Sequence, residues 1–302
     1  MSVTLEQLEQ ETARRVGPYW RFFTDRQLPN TAQFTYVNVP ELRTNIDSDL
    51  VTNLWLLRRG ETVTGSTVAV DPIDRQRSVD VYDSGQGRVF PDRPWSVVPA
   101  AGEYIEFHHL NPEQELRQAV YAGLRRCFMP DTVEALPTAA FGGIDLTAQF
   151  PWLTEGWQVV RVRYGWVGPY GEAPMDTYSS AGHVILTGTH GTALPMAVWV
   201  DTWRPVWSWV NDADSTGPTQ DDDQLEVNLD YAASAGHIEA WHLFPAKLQA
   251  AAAGNLQATR EQAAQEFSRL AGVYGPQRNR SVGFQTIVRI GTPGGSWVNN
   301  PW

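Results

Sequence analysis

The residues of this chain best suited to chemistry are histidines next to carboxylates, a run of aspartates and a lone cysteine. His108 and His109 adjoin Glu103 and Glu106, His237 and His242 share one segment, and Asp221, Asp222 and Asp223 stand in a row. Neighbouring residues on a strand point to opposite faces, so His108 and His109 cannot jointly face one metal ion without a bulge. His237 and His242 are five apart in a helical pattern, a poor spacing for a shared ligand site. The aspartates lack the alternating ligand positions and the glycine of a calcium loop, and they read as an exposed acidic loop. Cys127, the single cysteine, falls on an apolar stripe, where a small buried hydrophobe is expected rather than a nucleophile. No HExxH, GxSxG, Walker loop or paired-cysteine motif occurs in the sequence. Carboxylates are numerous, but nothing pairs two of them as glycoside hydrolysis requires. The expectation is a protein that is not an enzyme and holds no metal or cofactor.

The elements that position these residues alternate between helix and strand. Thr4 with Gln7 forms a plausible capping box, and Leu5, Leu8, Thr12 and Val16 keep helical spacing up to Gly17-Pro18. Residues 1–32 are therefore assigned to an N-terminal helix. From 33 to 110, short runs such as FTYVNV, TNLWLLRR, SVDVYD and YIEFHHL are separated by Gly, Pro and Asp, the pattern of a small antiparallel β unit. DSGQGR at 83–88 reads as its hairpin tip, since no GK[ST] follows as a phosphate loop demands.

The segment 111–136 carries the clearest helix signal, with Asn111 as N-cap, Pro112 at the first helical position and Gln114 three residues after the cap. Leu116, Ala119, Val120, Gly123, Leu124 and Cys127 share a face, and Met129-Pro130 is expected to end the helix. Small residues at 119, 122 and 123 invite another helix to approach closely. Residues 137–230 are again strand-like and rich in Trp, as in GWQVVRVRYGWV, HVILTG and PMAVWVDTW, and suggest a sandwich-like unit. Helices return over 231–276, with a break or kink at Pro245, a cap at Thr259 with Gln262, and a stop at Gly275-Pro276. Residues 277–302 form an extended arm. The fold class this predicts is α+β, a discontinuous α-helical bundle with two β-rich insertions, the second sandwich-like.

Composition narrows the function classes. The 302 residues carry a formal net charge of −11, which argues against nucleic acid as the main partner because phosphate binding needs a basic face. Residues 257–302 run against that balance with five Arg and two Glu. This locally basic tail suggests docking. A single cysteine excludes an intrachain disulfide and fits a reducing compartment. The start, MSVTLEQLEQETARR, has no charged leader before an apolar run, and no apolar span approaches the roughly 18 residues of a membrane helix. A chain that is neither secreted by the usual signal nor membrane-embedded is expected. Thirteen Trp, ten Tyr and eleven Phe provide aromatic surface for extended protein contacts or for Trp-lined sheet packing.

The order TLEQLEQETARRVGPYW, NPEQELRQAVYAGLRRCF, FPWLTEGWQVVRV, DDDQLEV leading to YAASAG, and AAQEFSRLAGVYGPQRNRSV resembles head-to-tail adaptor (connector) proteins of tailed bacteriophages, particularly those of actinobacterial phages. The resemblance implies a helical bundle, a homo-oligomeric ring of about twelve copies beneath the portal, a C-terminal tail reaching the portal, and tail proteins on the opposite face. It implies a virion protein of the neck, made in the host cytoplasm, with genomic DNA passing through the lumen. In such a ring, Arg117, Ala119, Ala122, Gly123 and Arg126 are candidates for a subunit contact. Arg278 and Arg280 would meet acidic groups of the portal, and Val282, Phe284, Thr286 and Val288 would alternate on one side of a strand added to a neighbour's sheet. The alternative is that this strand pairs within its own subunit. The large β segment at 137–230 is not covered by the resemblance. Two rival readings are a carbohydrate-binding receptor or decoration protein of the virion that uses that segment, and a hydrolase with dispersed acids.

Overall fold

Runs with a period of two form strands and the capped, small-residue segments form helices, giving an α+β chain with several small antiparallel sheets. The computed structural model describes residues 2–23, 36–38, 53–59, 62–63, 66–67, 75–96, 104–136, 143–163, 175–180, 182–188, 197–208, 218, 221–251, 256–276, 289–290 and 298–299. In chain order the elements are β1 (Ser2–Thr4), α1 (Leu5–Val16), β2 (Tyr19–Phe23), β3 (Val37–Asn38), β4 (Trp55–Arg59), β5 (Thr62–Val63), β6 (Ser66–Thr67), β7 (Gln76–Asp83), β8 (Arg88–Pro91) and β9 (Tyr104–His108). A π-helical turn (Pro112–Leu116) continues as α2 (Arg117–Leu124). Then come β10 (Phe128–Ala135), β11 (Ile144–Asp145), α3 (Leu146–Gln149), β12 (Val159–Arg163), β13 (Met175–Ser180), β14 (His183–Gly188), β15 (Val198–Pro205) and β16 (Gln224–Glu226). The chain closes with α4 (Leu229–Leu243), α5 (Pro245–Ala251), α6 (Leu256–Tyr274), β17 (Arg289–Ile290) and β18 (Val298–Asn299). No helix among the described residues is long and apolar enough to cross a membrane.

Two compact units divide the chain, each assembled from separated segments. The first takes Glu6–Gly123 and Ala233–Glu266; the second takes Met1–Leu5, Leu124–Ala232 and Phe267–Trp302.

In the first unit, a six-stranded sheet has the order β2-β9-β4-β7-β8-β3. Its apolar face gathers Leu54, Leu56, Val79, Ile105 and Phe107 around the buried Trp95, with Trp20 and Phe22 packed against them. The β7–β8 turn is the hairpin tip that DSGQGR predicts: Asp83 Oδ1 accepts from the amides of Gly85 and Gln86, and Gly87 adopts φ 64°, a conformation other residues rarely take. Strand structure starts earlier than the expected boundary at 33, because YWRFF pairs along its whole length with β9, from Tyr19 opposite His108 to Phe23 opposite Tyr104.

The same unit contains a helical core. Ala13 and Val16 of α1, Leu116 and Ala119 of the second helix, Ala240 and Trp241 of α4, Leu248 of α5 and Ala263 of α6 form one buried cluster. Pro245 opens α5 at its first position instead of kinking a longer helix, since a proline there lacks only an N–H that has no helical partner. The last helix begins at Leu256, so Thr259 lies inside it and does not cap it. Its end is as expected, with Gly275 N donating to Ala271 O.

Two three-stranded antiparallel sheets, β10-β15-β12 and β11-β14-β13, dominate the second unit. They share one apolar core that includes Ala135, Ile144, Leu146, Val184, Val198 and Val200. The helix beginning at Asn111 stops at Leu124, short of the expected Met129-Pro130, because Phe128–Ala135 pairs residue for residue with β15. Eight residues of ladder outweigh continuation of the helical stripe. Pro130 is tolerated because β10 is an edge strand, where a missing N–H need not break the ladder. Separately, β1 pairs with β16, and β17 pairs with β18.

Close helix approach in the first unit depends on Gly123. A Cβ built there would lie 2.4 Å from Gly236 N and 2.7 Å from the Ala235 carbonyl carbon, both backbone atoms that cannot swing aside. Helix propensity favours Ala over Gly by about 0.5–1 kcal/mol, while overpacking costs about 1–3 kcal/mol. Gly123→Ala is therefore expected to destabilise the protein despite its better propensity, read as a lower urea midpoint with an unchanged slope.

Candidate functional site

Alternation along β9 places Tyr104, Glu106 and His108 on the face opposite Ile105 and Phe107. Glu106 is fully buried there, and its oxygens are committed to protein groups: Gln10 Nε2 donates to Oε1 at 2.7 Å, and Arg59 Nε and His108 Nε2 donate to Oε2, each at 3.1 Å. Arg59 Nη2 also reaches Glu9 at 3.2 Å, and Arg117 Nε donates to the other Glu9 oxygen at 2.6 Å. Arg59 also has Glu6 Oε1 at 3.8 Å from its Nε, and Arg21 Nε lies 3.9 Å from Glu106 Oε1. The ring of Tyr19 meets His108 edge-on at 5.3 Å, and Arg14 lies over Tyr19.

The local sequence explains why these groups meet. Glu9 lies beside the buried stripe of Leu5, Leu8 and Thr12, and Gln10 lies farther round α1 beyond Ala13, so the buried arc of the helix is wide enough to take in both. Arg59 ends β4, which pairs directly with β9 and sets Arg59 opposite Tyr104. Burial alone would raise the Glu106 carboxyl, but the hydrogen bond from His108 and the charge and hydrogen bond of Arg59 bring it down to about 2. Near neutral pH it is an ionised acceptor with its oxygens occupied, suited to fixing α1 on the sheet and not to moving protons. His108 Nδ1 has no hydrogen-bond partner among the described residues.

A second buried titratable group lies in the helical core of the same unit. His237 Nε2 accepts from Trp241 Nε1 at 3.1 Å, one helical turn along α4. Burial holds this imidazole down to about 4, with the neighbouring Arg15 adding to the effect and Glu266 opposing it. Arg15 itself bridges Glu11 and Glu266.

The residues singled out from the sequence are dispersed. His108 joins the Glu106 cluster, while His109 Nε2 donates to Lys247 O, so the two histidines do face different surroundings. His242 pairs with Glu239 and not with His237. Cys127 is fully buried, and burial pushes its thiol well up. Among the described residues, no group of three His, Cys, Asp or Glu could hold a metal ion.

The residues offered for a subunit contact have the following surroundings within the chain. Ala119 is buried in the helical core, Gly123 is filled by the α4 backbone, and Arg117 bonds Glu9, so these three are used inside the chain; Ala122 is half-buried and Arg126 exposed. Arg278, Arg280, Val282, Phe284, Thr286 and Val288 lie outside the described residues. Just beyond them, Arg289–Ile290 pairs with Val298–Asn299 of the same chain. Sequence reasoning missed Glu9 and Arg59, and it singled out Arg117 for a subunit contact without its bond to Glu9. The available signal was a carboxylate beside the apolar stripe of α1 and an arginine pair closing the apolar strand WLLRR. Compared with known proteins, the sequence matches no family model and no curated protein.

Removing one partner of a buried ion pair costs about 3–5 kcal/mol, because the other charge stays buried and uncompensated. Arg59→Met is expected to lose that much in urea unfolding, and pairing it with Glu106→Leu should recover part of the loss.

Acid should act in two stages. His237 and Glu106 have folded values of about 4 and about 2 against ordinary values of 6.5 and 4.5, so the unfolded chain takes up protons first and stability falls with pH. The His237 contribution is complete above about 6.5 and lost as pH falls through about 4; that of Glu106 is complete above about 4.5 and lost as pH falls through about 2. Each amounts to on the order of 3 kcal/mol. Urea midpoints measured from pH 8 to 3 should show the upper stage in the wild type and lose it in His237→Gln.

Proposed function

We propose that this chain is a virion structural protein, a head-to-tail adaptor that forms a ring joining the portal to the tail and lining part of the DNA passage. The observation that carries the reading is the helical core drawn from both ends and the middle of the sequence, α1, α2 and α4 to α6, with strand-rich segments between them. On this reading the fold is a discontinuous helical bundle with two β-rich insertions, the second sandwich-like, and residues 277–302 are an arm. The element order is the one on which the resemblance to adaptor proteins rests. Assigned roles are structural: ring formation with copies of itself, contact with the portal on one face and with tail proteins on the other. An acidic chain of net charge −11 suits a lumen through which DNA must slide without sticking.

Ala119 and Gly123 are packed inside the chain, so on this reading the helix would present Ala122, half-buried, and Arg126, exposed, to a neighbouring subunit. Val273 and Tyr274, at the end of the last helix and 59% and 41% exposed, are the apolar residues nearest the arm. Electron cryomicroscopy of the virion should find the chain as a closed ring at the portal–tail junction; a position elsewhere in the particle overturns the proposal. Deleting residues 277–302 should leave filled heads that fail to join tails, and normal joining would remove the docking role of the arm.

A further inference from the structure

The outer face of the sheet β10-β15-β12 combines aromatic and charged groups in a fixed pattern. Along β15, Val198, Val200 and Thr202 are buried, while Trp199, Asp201 and Trp203 alternate with them on the opposite face, all half-buried. Four residues of strand put the two tryptophans about 13 Å apart at Cα. Asp201 lies between them. Register sets Arg161 and Thr132 beside Asp201, Arg163 and Glu134 beside Trp199, and Pro130 beside Trp203. Asp201 accepts from Arg161 Nε and Thr132 Oγ1, each at 2.8 Å, and from Arg163 Nη2. These bonds fix the polar row before any ligand arrives, so less side-chain entropy is lost on binding.

We propose that this face binds an uncharged carbohydrate chain. Sugar rings stack the apolar C–H side on the indoles of Trp199 and Trp203, and their hydroxyls exchange hydrogen bonds with Arg161, Arg163, Asp201 and Thr132. Charge favours a neutral ligand: the two arginines are balanced by Asp201 and Glu134, leaving no basic excess of the kind that phosphate polymers need. The arrangement also differs from a protein hot spot, where apolar anchors occupy the centre and polar groups the rim. Here the polar row is central and the aromatics flank it, matching a chain of alternating ring faces and hydroxyls.

The test uses the full-length protein in affinity electrophoresis through gels containing neutral polysaccharides (glucans, galactans and mannans), with an array of bacterial surface glycans in parallel. Retention by at least one neutral polysaccharide is expected, weakened about tenfold or more by Trp203→Ala and largely restored by Trp203→Phe. Arg161→Gln, at a residue one-third exposed in its side chain, provides a second variant that should fold normally and also weaken retention. No retention across the panel, retention of anionic glycans alone, or retention unchanged in Trp203→Ala and Arg161→Gln would each overturn the proposal. None of these outcomes bears on ring formation, which is read separately from the particle.

Discussion

A fully buried carboxylate, Glu106, sets the terms on which the first unit folds. An isolated charge in that position would be expelled or neutralised, so the structure must bring Arg59, His108 and Gln10 to it from β4, β9 and α1. Satisfying Arg59 in turn recruits Glu9, and satisfying Glu9 recruits Arg117. The chain of obligations therefore runs from the sheet through the first helix to the second. Hydrophobic burial on the other side of the sheet supplies most of the stabilisation, but it is indifferent to small shifts of a helix. A network of directed, charge-assisted bonds is not, and it fixes where α1 lies along the strands.

Geometry of a different kind governs the helical core. Its contacts are made by Ala13, Ala119, Ala240 and Ala263, and by two glycines that let backbones touch. The alanines and glycines let the helices approach closely enough for Leu116, Trp241 and Leu248 to pack in the same cluster. Adding a methyl at Gly123 would press on the α4 backbone, which cannot swing aside. His237 and Trp241 contribute a single polar bond to this packing, and its low-dielectric setting keeps the histidine neutral well below its ordinary range.

Tryptophan surplus finds two uses among the described residues. Trp95, Trp207 and Trp241 are buried, the first beside Arg58 and Arg77 and the second beneath Arg125. The others are half-buried, including Trp199 and Trp203 on the outer face of their sheet. Guanidiniums placed near indoles explain part of the arginine content as packing.

Local signals in the sequence were sufficient wherever the deciding interaction is itself local. Asn111 capping Gln114 N, the Asp83 turn with Gly87, the stop at Gly275 and the alternation along β15 each involve residues within a few positions, and each is legible from residue type. What the sequence could not decide were contests between a local preference and a distant partner. The stripe that continues past Leu124 reads as helix until β15, some seventy residues later, claims Phe128–Ala135 as its neighbour. YWRFF reads as the tail of a helical segment until β9 pairs with it. Glu106 with Arg59, 47 positions apart, and Gly123 with Gly236 are likewise invisible to any short window. Residue types and their spacing thus determined the turns, the caps and the apolar face of those elements whose type is set locally. Only the tertiary structure decided their ends, their partners and the pairing of buried charges, because those depend on free energies shared between segments that the chain brings together only on folding.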